Sequence, residues 1–301
     1  MYVSFEERKN SQGVTVGGLA VKPSGILPIA DSHFHLDQLM KRARCSDLHE
    51  LDDLNTSAQF PGVKLKYLVA NYCYPDTFPS ALQRSNIRKD DRVFFTFGLH
   101  PRLISSIKTD VVEEWFDSLR SISKSTRTVT IGECGLDTTD NPNSRNYNRQ
   151  IRFFEKQLEL AHTMNLPVVI HCRGDVRLHH FIIETLAVHL QPHHPIHWHC
   201  FLGNFTVYTS ALQHFSNILF GITPFIFHGT RRSAILELLA THGTNKIILE
   251  SDAPYISIDQ QEGSPYQVFR VADEISRRAQ VPIEEVLKVS TRNVRTLYRL
   301  E

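Results

Sequence analysis

The sequence predicts an α/β protein folded as a single closed (β/α)8 barrel, a TIM barrel, and three observations predict it. Short β-rich apolar runs alternate with segments of helical spacing, eight such runs can be counted, and 301 residues hold eight β/α units in one domain. The runs are 25–30, 65–72, 92–98, 128–133, 167–171, 195–199, 218–221 and 246–251. Between them the clearest helix is 147–164, where Ile151, Phe154, Leu158 and Ala161 fall at intervals of three and four. Further helices are expected at 46–58, 77–87, 111–121, 176–190, 205–214 and 230–241. Two more, 265–279 and 282–298, close the chain, the second opening on Pro282 in the first turn. Residues 1–25 are polar, with Gly13, Gly17, Gly18 and Gly25, and read as a short N-terminal arm before a barrel domain of 26–301. No repeat, low-complexity tract or linker divides that domain.

Composition narrows the function classes. Hydrophobic residues make up 41% and charged residues 22%, as in ordinary globular proteins, and the net charge of +1 supplies no global field for duplex nucleic acid. Local basic clusters can still meet single strands. The first ten residues carry Glu6, Glu7, Arg8 and Lys9 without an apolar stretch, so no secretory signal is expected. No apolar run approaches the roughly 20 residues that span a bilayer, so no membrane partner is expected. Five cysteines without C-x-x-C spacing read as reduced thiols in the cytoplasm or nucleus.

The chemistry lies at the strand ends. His33 and His35 close the first run, His100 the third, Glu133 and Asp137 the fourth, His171 and Arg173 the fifth, His197 and His199 the sixth, and Glu250 and Asp252 the eighth. In a parallel barrel all these ends meet on one face. Residues two apart in a strand share a face, which pairs His33 with His35. Cys134, Cys172 and Cys200, each directly after a candidate ligand, should point away and pack. Of Glu250 and Asp252, one is expected to face away from the axis. Imidazoles and carboxylates crowded in a buried place are costly unless paired or bound to a cation. His33, His35, Glu133, His171, His199 and Asp252 are too many ligands for one tetrahedral ion and suit two divalent ions with Glu133 as the bridge. Asp252 would hold or deprotonate the attacking water. Imidazole-rich ligation suits Zn2+ or Mn2+, and pure Mg2+ sites prefer oxygen; the expectation is two divalent cations, Mg2+ or Mn2+ ahead of Zn2+. His179, His180, His193, His194 and His197 are left outside the ligand set.

The successive motifs Asp31-Ser-His-Phe-His-Leu-Asp37, Gly98-Leu-His-Pro101, Gly132-Glu-Cys-Gly-Leu-Asp137, Leu166-Pro-Val-Val-Ile-His-Cys-Arg173, His199-Cys-Phe-Leu-Gly203 and Glu250-Ser-Asp-Ala-Pro254 resemble those of the TatD family of metal-dependent deoxyribonucleases. Gln150, Phe154 and Gln157 match the helix that follows its fourth strand, and the animal TatD-domain proteins of the second type are the most similar group. The resemblance implies a TIM barrel of the amidohydrolase-like superfamily with two cation positions. It implies phosphodiester hydrolysis, typically 3′-to-5′ on DNA, with RNA cleaved by some members. The six ligand residues above match the family's ligands, with Glu133 and Asp252 also catalytic. His100 matches a site histidine that contacts the scissile phosphate and is not a ligand, and Arg173 a position that orients phosphate. Thr138 and Thr139 after Asp137, Gly174-Asp175 after Arg173, and Leu202 depart from the pattern and bear on substrate preference.

Basic residues on the expected catalytic face would clamp a few phosphates of a single strand or an end: Lys41, Arg42, Arg44, Arg102, Arg145, Arg149, Arg231 and Arg232. Phe201, Phe225, Phe227 and Tyr255 would offer stacking surfaces. Two other readings compete with a nuclease of DNA and RNA. The same metal centre hydrolyses carbonyl bonds, as in an esterase or amidase acting on D-aminoacyl-tRNA or a small molecule. A catalytically idle nucleic-acid-binding module is the other, and a complete ligand set speaks against it.

Overall fold

The computed structural model describes residues 4–9, 15–20, 26–51, 54, 62–228, 232–259 and 262–301. Within the expected arm, β1 (Ser4–Lys9) and β2 (Thr15–Ala20) form an antiparallel pair. The eight strands that follow are β3 (Leu27–Phe34), β4 (Val63–Tyr72), β5 (Val93–Phe97), β6 (Thr128–Asp137), β7 (Val168–Arg173), β8 (Ile196–Trp198), β9 (Ile218–Ile222) and β10 (Ile247–Leu249). All seven ladders between them are parallel and join neighbours in chain order, giving a nearly closed (β/α)8 barrel.

Helices cover the outside: α1 (Leu36–Ala43), α2 (Ala81–Ile87), α3 (Pro101–Ser106), α4 (Thr109–Ile122), α5 (Ser144–Met164), α6 (Val176–His189), α7 (Phe205–His214), α8 (Arg232–His242), α9 (Gln267–Ala279) and α10 (Ile283–Leu297). Their starts are chemically marked. Ser80 and Gln83 form a reciprocal capping box on α2, and Asn143, Asp175 and Asn204 accept backbone N–H bonds at the starts of α5, α6 and α7. Ser80 explains why the helix expected from 77 starts at Ala81, after a 3-10 turn at Pro75–Thr77. Helices α1 and α3 are additions to the sequence expectation. Each is too short to show a period, and each opens directly from a strand end with His35 or His100 at its N-cap. Of the helix expected at 46–58, residues 52, 53 and 55–58 lie outside the described residues, and the described part holds a 3-10 turn at Leu48–Glu50.

The barrel interior has two levels. At the lower level Ala30, Val69, Val169, Leu219 and Ile248 pack together with Val294, Leu297, Tyr298 and Leu300, so the end of α10 plugs the bottom. One step up the same faces of β7, β8 and β10 stand His171, His197 and Glu250, because side chains alternate along a strand. Strand β3 breaks that alternation. Its pairing with β4 shifts register between Asp31 and Phe34, which lets His33 follow the inward Ala30 at an odd interval.

The seam between β10 and β3 is closed by other bonds. Ser251 donates from its backbone N–H and its hydroxyl to the Asp31 carboxylate, and Ser32 Oγ donates to Leu249 O at 2.9 Å. Asp252 N–H donates to His33 O at 3.0 Å and His35 N–H to Ala253 O at 2.8 Å. These bonds fix Asp252 beside the two histidines of β3. At the middle of the barrel β5 and β6 approach so closely that a methyl group on Gly98 would lie 2.4 Å from the Gly132 carbonyl carbon. Replacing Gly98 with alanine is expected to cost about 1–3 kcal/mol, read as a lower urea midpoint at unchanged slope. Wild-type stability in that variant would show that the approach is not tight.

Candidate metal centre

Strands β3, β6 and β7 deliver His33, Glu133 and His171, and His35, His100, His199 and Asp252 follow the ends of β3, β5, β8 and β10. Glu133 stands at the centre, on β6, with its backbone N–H donating to Asn71 Oδ1 at 3.1 Å. Its Oε2 is buried and has no hydrogen-bond partner. Around that one oxygen stand three imidazole nitrogens: His199 Nε2 at 3.5 Å, His171 Nδ1 at 3.6 Å and His33 Nε2 at 3.7 Å. Asp252 Oδ1 lies 3.3 Å from His35 Nε2 and 3.9 Å from His33 Nε2, and Asp252 Oδ2 lies 4.0 Å from His199 Nε2. Most of these gaps are long for hydrogen bonds. They match the spacing of two donors on one ion, since bonds of about 2.1 Å at a tetrahedral angle put donors about 3.4 Å apart. Three donor sets converge in this way: His33, His35 and Asp252; His33, Glu133 and His199; and His100, Glu133 and His171. His33 leaves both ring nitrogens without a hydrogen bond, and His35 leaves its Nδ1 so. Buried atoms orphaned around a shared centre fit a bound cation.

The far sides of two rings are held at ordinary hydrogen-bond distances. His199 Nδ1 lies 2.9 Å from Glu250 Oε2, and His171 Nε2 lies 3.2 Å from Asp137 Oδ2. Each ring thus presents its other nitrogen to Glu133, the carboxylate–imidazole arrangement that orients metal-binding histidines. Glu250 also accepts the Cys200 N–H at 3.0 Å and bonds His197, whose other nitrogen meets the Tyr298 hydroxyl. Glu250 has room for this because Gly221 faces it: a Cβ there would fall 1.7 Å from Glu250 Oε1.

Electrostatics follow from the geometry. Burial opposes charge on Glu133, but His199, His171, His100 and His33 hold its carboxyl well below the usual range. Burial likewise opposes a proton on His199, yet Glu250 and Glu133 raise it to about 9. His100 goes the other way: burial, then His171, pulls it down to about 3. The His100 Nδ1 accepts the Arg102 N–H at the cap of α3, 3.2 Å away. A neutral imidazole that accepts at Nδ1 carries its proton on Nε2, 3.5 Å from Glu133 Oε1. That nitrogen can donate to an oxyanion and has no free lone pair for a metal.

The structure therefore brings together His33, His35, Glu133, His171, His199 and Asp252, with His100 at their edge. Glu250 and Asp252 both face inward, at different depths, which corrects the expectation that one faces away; two residues apart, they share the inner face. Asp137, Glu250 and His197 were missed as positioning groups. The signal for His197 was its place two residues before His199. Cys134 and Cys172 pack in the core, and Cys200 meets Thr223, as their parity requires. Cys73 at the end of β4, 3.5 Å from Glu133 Oε1, had no flanking signal.

The expected basic clamp is reduced. Of the arginines named for it, Arg102 lines the cavity over the cluster and pairs with Asp140 at 2.6 Å; Arg173, expected separately to orient phosphate, lines it with the guanidinium 5.7 Å from the Phe225 ring centre. Arg42 pairs with Glu262 at 3.1 Å and Arg149 turns onto the carbonyls of Ile107 and Ser105, so neither serves that cavity. Arg231 lies outside the described residues. Phe201 is core, 1% exposed, and offers no stacking surface.

The profile of a family described as TatD related DNase matches residues 30–299. A human protein named 3'-5' RNA nuclease TATDN2 is 28% identical over 281 residues, 90% of this chain and 35% of its own length. A protein from Pantoea ananatis named 3'-5' ssDNA/RNA exonuclease TatD is 34% identical over 170 residues, 55% of this chain and 60% of its own length. The aligned part is thus about a third of the human relative and three-fifths of the bacterial one. Among solved structures, a TatD homologue from Escherichia coli superposes with a TM-score of 0.74 at 23% identity, covering 91% of this chain and 98% of its own. A TatD family hydrolase from Entamoeba histolytica gives 0.71 at 16% identity, covering 92% and 100%. At those identities the likeness is one of fold.

Truncating Glu250 to alanine would leave His197, His199 and the Cys200 N–H without their shared acceptor. The expected cost is about 3–5 kcal/mol, seen as a lower melting temperature by calorimetry. An unchanged melting temperature would show that the buried network carries no stability.

Proposed function

The chain belongs to the family of TatD-related DNases, which are hydrolases, and from that premise we propose that it is a metal-dependent nuclease cleaving phosphodiester bonds of DNA and RNA from the 3′ end. The observation that carries the reading is Glu133 Oε2, a buried, partnerless carboxylate oxygen with three imidazole nitrogens at ligand spacing. The names of the human and Pantoea relatives, an RNA nuclease and an ssDNA/RNA exonuclease, support the substrate class.

In this proposal His33, His35 and Asp252 would hold one divalent cation, His171 and His199 would hold a second, and Glu133 would serve both. Mg2+ or Mn2+ is favoured over Zn2+. Bound there, the cations would supply Lewis-acid polarisation of the phosphate and a hydroxide near neutral pH. The protein's own groups do the rest. Asp252 takes the proton from the attacking water. His100 donates its Nε2–H to a non-bridging phosphate oxygen, and the Arg173 guanidinium aligns the phosphate from the rim. Asp137 and Glu250 keep His171 and His199 turned inward. Arg102, neutralised in part by Asp140, contributes to substrate binding through the same mouth. The domain that does this runs from 26 to 301, after the polar segment 1–25. Among the described residues no helix is long and apolar enough to cross a membrane, and five unpaired cysteines support a cytoplasmic or nuclear setting.

Labelled single-stranded and duplex DNA and RNA, offered with Mg2+ or Mn2+, test the reading. Cleavage is expected to vanish with EDTA and to fall about 10²-fold or more in Glu133→Gln and Asp252→Asn. Undiminished cleavage in either variant would sink the site assignment, and turnover of a D-aminoacyl-tRNA without any nuclease activity would replace the reading. A second check needs no substrate. Metal at about 100 times its Kd should stabilise the stripped protein by about 2.7 kcal/mol, and a His33→Ala variant should lose that gain. An equal gain in the variant would remove His33 from the ligand set.

A further inference from the structure

The cavity over the cluster has a volume of about 340 Å3, and its rim is partly aromatic. The chemistry proposed above gives the aromatic part of that rim no task. Tyr255 stands three residues after Asp252, 54% exposed, with its ring edge-on to His35 at 4.8 Å. Tyr74 lines the same cavity. The Tyr74 ring in turn lies nearly parallel to His100, with centroids 6.0 Å apart and 13° between planes. Tyr255 thus packs its ring against His35 while keeping much of the side chain in water. Ile26, Leu82, Val176, Val188 and Phe205, the other large exposed apolar side chains among the described residues, do not line this cavity.

A fixed, water-facing aromatic ring at the mouth of an anion-binding cavity is a stacking platform. Every base offers a π-face, so such a platform is tolerant of sequence. We propose that the base of the nucleotide bound over the cluster stacks on Tyr255. This rests on the nuclease reading and adds to it a mode of substrate selection. A base inside a duplex is already stacked on both faces, so only an unpaired terminal base can use Tyr255 without first being pulled from its stack. The cavity is near the small end of ligand pockets, of a size for one nucleotide. Selection for single strands and frayed ends follows from the platform.

The test uses the metal-loaded protein and a single-stranded oligonucleotide with 2-aminopurine as its 3′-terminal base. Stacking quenches this fluorophore, and release of the terminal nucleotide restores it, so one stopped-flow trace reads both events. Wild type and Tyr255→Phe should quench on binding; Tyr255→Ala should not. Wild type should also prefer a base-bearing 3′ end over an abasic one by about tenfold in KM, a preference that collapses in Tyr255→Ala. No quench in wild type, or an undiminished preference in Tyr255→Ala, would overturn the platform. Quench without later recovery would uphold the platform and instead overturn the nuclease reading.

Discussion

Much of the upper half of the barrel answers to one constraint, a buried carboxylate oxygen that the protein itself leaves without a hydrogen bond. Glu133 Oε2 is surrounded by His33, His171 and His199 at 3.5 to 3.7 Å, too far to be satisfied by them and well placed to share a cation. Leaving such a group unpaired in a low-dielectric interior costs several kcal/mol. Asn71 fixes the Glu133 backbone, Gly98 lets β5 close on β6 beside it, and Asp137 and Glu250 hold two of the rings that face it. The surrounding bonds make sense as positioning for that one centre.

The barrel divides its labour by level. Its lower interior is apolar and plugged by the last turn of α10, which supplies the burial that holds the domain together. The polar level above it could not fold on its own account. Tyr298 links the two, packing in the lower cluster while its hydroxyl meets His197, which reaches Glu250 and through it His199. Tyr298 therefore helps to aim the histidine that follows β8.

Distances within the cluster separate two kinds of contact that residue type alone does not. His199 meets Glu250 at 2.9 Å and Glu133 at 3.5 Å, both carboxylates, but the first is a hydrogen bond and the second has ligand spacing. For His100 the discriminator is a cap. Because its Nδ1 accepts the first turn of α3, its other nitrogen bears the proton and serves as a donor. The rim shows the same economy, with Arg42 and Arg149 turned to structural partners and Arg173 left at the mouth.

The eight strands and most long helices were legible in sequence because period and length are local properties. So was the list of polar residues at the strand ends, since parallel topology sends all those ends to one face. Short helices such as α1 and α3 were not legible, being too brief for a period. Neither was the inward turn of Glu250, or the pairing of basic side chains away from the cavity. What the amino-acid order determined by itself is which chemical groups exist and which strand carries each. Which nitrogen of His171 or His199 faces Glu133, and which oxygen of Asp252 meets His35, only the closed barrel decided. Those contacts join residues tens to hundreds of positions apart, and their geometry depends on register shifts and seam bonds with no local signature in the chain.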